Sequence, residues 1–149
     1  MFRSPRHLRW LINIWPPFLG AGIRITHLDP SFRTVDVEMK LRFWNRNYVG
    51  THYGGSLYSM TDPFFMVMLM NTLGPGYIVW DKSASIRFRR PGRGTVRAHF
   101  EITDEQTASI RQQLETAEKI EPTFVVAVKD TAGEVIAEVQ KVLSIRRKP

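Results

Sequence analysis

The chain predicts an α+β fold in which an antiparallel sheet wraps around one long central helix. Three features carry that prediction. Residues from about Ser56 to Leu73 are apolar nearly all round, a pattern that a helix tolerates only when it is buried on most sides. The segments before and after it alternate apolar with polar residues, which is the period of strands with one wet face. Gly, Pro and Asp cluster between those segments at turn spacing. A single apolar helix among many antiparallel strands is covered only if the sheet curls around it.

At the N-terminus, MFRSPRHLRWLINIWPPFLGAG carries basic residues and no acidic one, so a targeting or membrane-surface segment is one option. Leu8, Leu11, Ile12 and Trp15 fall on one helical face and Pro16-Pro17 supplies a stop, which favours a short helix docked on the domain. Val35, Val37, Met39 and Leu41 then alternate with Thr34, Asp36, Glu38, Lys40 and Arg42, and Asp29-Pro30 marks the turn of a hairpin. A loop, WNRNYVGTHYGG, leads into the apolar helix, which Gly74-Pro75-Gly76 ends. Two strands follow, YIVWDKSASIRFRRP and TVRAHFEIT, separated by the Gly92-Arg93-Gly94 turn. Thr103 and Gln106 have capping-box spacing, and Ile110, Leu114 and Ala117 mark the inner face of a surface helix. Two last strands, joined through Asp130 to Gly133, complete one domain over residues 1–149. The order is that of a hotdog fold.

Composition narrows the function. With 149 residues and 43% hydrophobic residues the chain has the makings of a globular domain. Its net charge of +7 attracts anions without choosing among nucleic acid, lipid headgroups and phosphorylated small molecules. There are no cysteines, hence no disulfide, thiolate metal site or Cys nucleophile. His7, His27, His52 and His99 are too scattered to suggest a metal site, and there is no Gly-x-Ser-x-Gly elbow, His-Glu-x-x-His or P-loop. The apolar run is too short and too interrupted for a bilayer span, and a cytoplasmic protein without stable membrane insertion is expected.

Asp62 stands directly before Pro63 and the seven uninterrupted apolar residues Phe64 to Met70. An unpaired charge beside an apolar interior is costly, so it needs a reason. The structural one is that Asp followed by Pro suits an N-cap and first helical position. The chemical one is that a carboxylate on a partly apolar helix serves as base or nucleophile. Leu57, Tyr58 and Met60 continue the apolar pattern backwards, which favours a helix that starts near Gly55 and kinks at Pro63.

NYVGTHYGGSLYSMTDP resembles the signature of hotdog-fold acyl-CoA thioesterases of the phenylacetate-type branch, and SASIRFRRPGRG resembles the strand and turn after their central helix. The match is nearest to a poorly characterised, thioesterase-like subgroup labelled as a domain of unknown function. In that family His-Gly-Gly is followed, seven residues after the second Gly, by Asp or Glu; Gly54, Gly55 and Asp62 keep this spacing. Tyr53 stands in the histidine position, with His52 one place earlier. The resemblance implies acyl-thioester hydrolysis at a homodimer interface, with a dimer of dimers as a further option. Asp62 would be the catalytic carboxylate, facing the partner's glycine turn and Asn47. The N–H groups at Gly54 and Gly55 would hold the oxyanion, since glycine lets a thioester approach the backbone. Tyr53, His52, Lys82 and Ser83 would line the substrate path. Arg89 and Arg90, in a basic cluster with Arg87 and Arg93, suit the phosphates of coenzyme A, which enters as part of the substrate; no other cofactor is implied. The acyl tail would lie near Phe64, Phe65 and Met68.

Two alternatives stay open. One is a hotdog protein that binds acyl-CoA or another acyl thioester without hydrolysing it. The other is a basic nucleic-acid or membrane-surface binder, although the aromatic residues do not interleave with the basic cluster as single-strand stacking requires, so no nucleic acid is expected.

Overall fold

The computed structural model describes residues 4–149. Elements follow in the order α1 (Pro5–Ile14), α2 (Pro16–Ala21), β1 (Ile23–Leu28), β2 (Thr34–Lys40), α3 (Gly54–Ser59), α4 (Phe64–Leu73), β3 (Tyr77–Phe88), β4 (Thr95–Glu101), α5 (Asp104–Thr116), β5 (Lys119–Ile120), β6 (Thr123–Asp130) and β7 (Val135–Arg147). Among the described residues the sheet has seven antiparallel strands, six of them in the order β1-β2-β4-β6-β7-β3, with β5 added on β7. The fold is the hotdog expected, an antiparallel sheet around a central helical segment.

Alternation drives the strands. In β4 Val96, Ala98 and Phe100 are buried while Arg97 and His99 are exposed. The inward rows meet α4, where Phe64 and Phe65 pack on Phe100 with ring centroids 4.9 and 5.2 Å apart, and Phe65 stacks on Phe124 at 5.0 Å. Thr103 caps α5 with its full capping box, as the Thr-x-x-Gln spacing predicts.

The structure corrects three local expectations. The apolar helix is interrupted: α3 ends at Ser59, Met60 to Pro63 form a turn, and α4 restarts at Phe64. The cause is Pro63, which has no N–H for the Ser59 carbonyl and would clash with it; the Asp62 N–H takes that carbonyl instead at 3.2 Å. At the N-terminus, Pro16-Pro17 ends α1 but opens a second short helix, because Pro is at home in a first helical turn. Of the four residues expected on the inner face of α1, Leu8 is buried and Ile12 half-buried, while Leu11 and Trp15, which closes the helix, are exposed. The basic segment's first three residues lie outside the described ones.

The two edges of the sheet differ. At β1, α1 lies along the outer side and satisfies the backbone of Ile25: Asn13 Nδ2 and Arg9 Nε donate to its carbonyl at 3.1 and 3.2 Å, and its N–H donates to Asn13 Oδ1 at 2.7 Å. A side-chain amide thus takes the place of a neighbouring strand. At the other edge, among the described residues, β3 pairs with β7 alone and leaves its outer side open.

Candidate functional site

The loop before α3 is built by Asn47. Its Oδ1 accepts from the N–H groups of Val49 and Thr51, at 3.1 and 2.9 Å, and its Nδ2 donates to Thr51 Oγ1 and the His52 carbonyl, at 2.9 and 3.3 Å. Those bonds occupy the whole side-chain amide, so Asn47 shapes the loop from within. His52 then ties the loop to the β3–β4 turn. Its N–H donates to the Gly92 carbonyl at 2.9 Å, and its buried ring sets Nε2 2.8 Å from the Gly94 carbonyl. With Nε2 as the donor, Nδ1 is left as a buried acceptor without a partner among the described residues.

These contacts enclose a groove of about 460 Å³ between the loop, the start of α3 and the turn after β3. Asn47, His52, Gly54, Arg89, Arg90 and Arg93 contribute to its wall. Arg89 and Arg90 lean on Glu138 and Glu134, at 3.6 and 3.1 Å, in exposed pairs of the weak surface kind. At the head of α3, Tyr53 supplies no side-chain cap, and no protein group among the described residues accepts from the Gly54 or Gly55 N–H. Both glycines leave room for rings: a Cβ on Gly54 would lie 3.0 Å from Phe88, and one on Gly55 only 2.4 Å from Tyr53.

Asp62 lies past the other end of α3, outside this groove. Its side chain caps nothing: α4 has no side-chain cap. Instead Oδ1 accepts from Tyr58 Oη and Lys141 Nζ, both at 2.9 Å, while Lys141 also donates to the Asp62 main-chain carbonyl at 2.6 Å. The Lys141 side chain is wholly buried, whereas that of Asp62 remains 49% exposed. Asp81 completes the cluster, with Oδ1 3.2 Å from Nζ, and the ammonium lies 5.6 Å from the centre of the Tyr58 ring. A bulge at Lys82 sets Asp81 level with Leu143 and Ala84 level with Lys141.

Burial alone would pull the Lys141 ammonium down, but the Asp62 hydrogen bond and the charges of Asp62 and Asp81 outweigh it and hold it above the ordinary lysine value. Burial pushes the Asp81 carboxyl up against the opposing pull of Lys141. It also raises the Tyr58 phenol, helped by the hydrogen bond to Asp62.

Lys141 went unnoticed in the sequence although a signal was there. Ala137, Val139, Leu143 and Ile145 share its inward phase on β7, so a lysine among them points into the core. The other expected residues are dispersed. Lys82 pairs with Glu121 on the surface, Ser83 is exposed on β3, and Phe65 is in the core.

His52 gives the domain a pH dependence. Burial lowers its pKa from the ordinary 6.5, against the opposing bond to Gly94. A depressed folded-state value means that its stabilisation is present above pH 6.5 and lost as the pH falls through the folded value. Urea unfolding at about pH 7.5 and about pH 5 should therefore show a loss of stability in acid that is smaller in His52→Gln. Equal losses in both proteins would remove His52 as its source.

A family model described as Domain of unknown function (DUF4442) matches residues 5–145. The chain belongs to the DUF4442 family. Among solved structures it is similar to PA5026 of Pseudomonas aeruginosa, a protein of unknown function termed a "Probable Thioesterase", at 25% identity and TM-score 0.82 over 97% of each chain. The fold is shared with OLEI01261 of Chlorobaculum tepidum, of unknown function, at 15% identity and TM-score 0.73, covering 97% of this chain and 98% of that one. It is shared too with the thioesterase HI1161 of Haemophilus influenzae, at 13% identity and TM-score 0.72, over 99% and 93%. No curated protein matches the chain. This DUF4442 chain therefore has a thioesterase-like hotdog fold. Among its described residues, no helix is long and apolar enough to cross a membrane.

Proposed function

We propose that the protein hydrolyses acyl-CoA, or a related acyl thioester, at a site completed by a second copy of the chain. The observation that carries this reading is Asp62. A carboxylate that caps no helix, is held at one oxygen by a buried lysine and a tyrosine, and keeps a half-exposed side chain is poised to act on a reactant through Oδ2. No cofactor is needed beyond the coenzyme A of the substrate.

The groove supplies the complementary half. Arg89, Arg90 and Arg93 suit phosphate oxygens, and their exposed carboxylate partners exchange readily for a ligand. His52 braces the loop from behind the groove, while the Gly54 and Gly55 N–H groups face the developing oxyanion. With Phe65 enclosed in the core, the acyl tail runs along the outward side of α4, where Met66 and Val67 are half-buried and Met70 exposed.

Groove and carboxylate sit at opposite ends of α3, which supports a homodimer that sets each against the other's counterpart. The open outer side of β3, exposed Trp80 and Phe88 on that strand, and the uncovered apolar side of α4 support the same assembly. A pairing of two such dimers is compatible with it.

The test follows thiol release from short, medium, long and aromatic acyl-CoAs, then mixes two inactive variants, Asp62→Asn and Gly54→Val, after joint refolding. Turnover of one acyl class, restored in the mixture, is the expected result, because one mixed dimer site keeps both halves intact. Turnover without restoration would remove the shared site. A thermal shift by acyl-CoA with no thiol released would favour the second reading, a thioester-binding protein without hydrolysis, to which Tyr53 in the family's histidine position points.

A further inference from the structure

We infer that the outer side of α1 and α2 is a docking surface for an anionic lipid membrane. The inference stands apart from thioester hydrolysis. Trp10 and Ile14 are one turn apart on α1, and Leu11 is followed one turn on by Trp15, the residue that closes the helix, so the four form one stripe. All four are exposed, Trp10 to 60%, and Leu19 on the neighbouring α2 is exposed as well. The opposite side of α1 is fixed to the domain through Leu8, Arg9 and Asn13, so the stripe is held outward on a rigid support. It belongs to the β1 edge, across the sheet from β3, and the dimer proposed above leaves it uncovered.

Charge decides the occupant. The first acidic residue of the chain is Asp29, whereas Arg6 and His7 are exposed on α1 itself. A shallow groove beside Leu19 and Trp44 is walled by Arg24, Lys40 and Arg42. Its one acid, Glu38, is buried and taken up by Arg97 at 3.0 Å and Lys40 at 3.6 Å. An aromatic and aliphatic stripe with a basic border is the composition of an interfacial helix, whose apolar side enters the headgroup and acyl boundary while its cations meet anionic lipid. A second copy would instead bring the same basic border against itself. Nucleic acid would find nothing to bind in Leu11, Ile14 and Leu19.

The experiment floats the whole protein with vesicles of phosphatidylglycerol and phosphatidylcholine, and with phosphatidylcholine alone, across a salt series. Binding to the anionic vesicles, weakening with salt, is expected. Trp10→Ser and Ile14→Ser should each weaken it by about tenfold, and Arg6→Gln by about fivefold on anionic vesicles alone. All three positions are exposed, so the melting temperature should not move. Absence of binding to anionic vesicles, or equal binding by wild type and both stripe variants, overturns the inference. So does a change of oligomeric mass in the stripe variants without vesicle binding, which would make the surface a contact between copies. Retention on DNA without vesicle binding overturns it in favour of nucleic acid.

Discussion

Asp62→Asn should lower the rate of thiol release by about 10²–10⁴-fold, the range expected when a positioned acid or base is lost, while the protein stays folded. The two expectations are separable because of how Asp62 is held. The amide oxygen introduced by this substitution can still accept from Tyr58 Oη and Lys141 Nζ, and Lys141 keeps its bond to the main-chain carbonyl at that position. What the amide lacks is the negative charge facing buried Lys141 and the second carboxylate oxygen, which has no protein donor among the described residues. A variant that still melts as one folded unit, at a temperature lowered by the charge lost beside buried Lys141, but no longer turns over, assigns the chemistry to that oxygen. Unchanged turnover would leave Asp62 as the anchor of the helix break and nothing more.

Lys141→Met has the largest expected effect on stability. Methionine fills a similar volume, so the loss comes from charge and hydrogen bonding rather than from a cavity. Removing one partner of a buried ion pair strands the other, at a cost of about 3–5 kcal/mol. The lower end is expected here, since Asp62 is half-exposed and recovers water, whereas the Oδ1 atom of Asp81 that faces Lys141 is itself buried. The pH dependence follows from Asp81. Its folded-state value is already raised, so its favourable contribution is present below its ordinary 3.8 and is lost as the pH rises through the folded value. Without Lys141 to oppose burial that value climbs further, and the variant's deficit is greatest near neutrality and shrinks in acid. Urea unfolding of both proteins at about pH 7 and about pH 4.5 checks the sign. Adding Asp81→Asn should restore part of the stability at neutral pH. A deficit that is independent of pH, or no rescue by the second substitution, would separate Lys141 from the carboxylates.

Periodicity made the large elements legible. Strands β2, β4 and β6 with their turns, the capped α5 and the apolar α4 follow from alternation, caps and length, and together they imply a curled sheet. The interruption at Met60 to Pro63 is harder to read, because the apolar pattern continues across it and only the missing N–H of Pro63 breaks it. Leu11 and Trp15 show the limit of a helical wheel: it finds an apolar face but does not say which part of that face meets the domain. At the site, Gly54, Gly55, Asp62, Arg89 and Arg90 stand out by residue type and spacing. The partners of Asp62 do not, since Tyr58 reads as one more aromatic core position and Lys141 lies 79 residues further along the chain. Nor does spacing alone show that Asn47 spends its hydrogen bonds inside its own loop.

The Asn13 clasp on Ile25 bears on how many copies can join. Strand pairing propagates only through a unit with two available sides, each addition exposing a fresh one. Here one side is occupied from within the same chain, so pairing through β3 uses up the sticky margin of both participants. Growth by this route terminates at two molecules, and a polymer would first have to peel α1 away. Substituting Asn13 should therefore show itself less in the melting temperature than in turbidity, as the released margin of β1 recruits further molecules end to end.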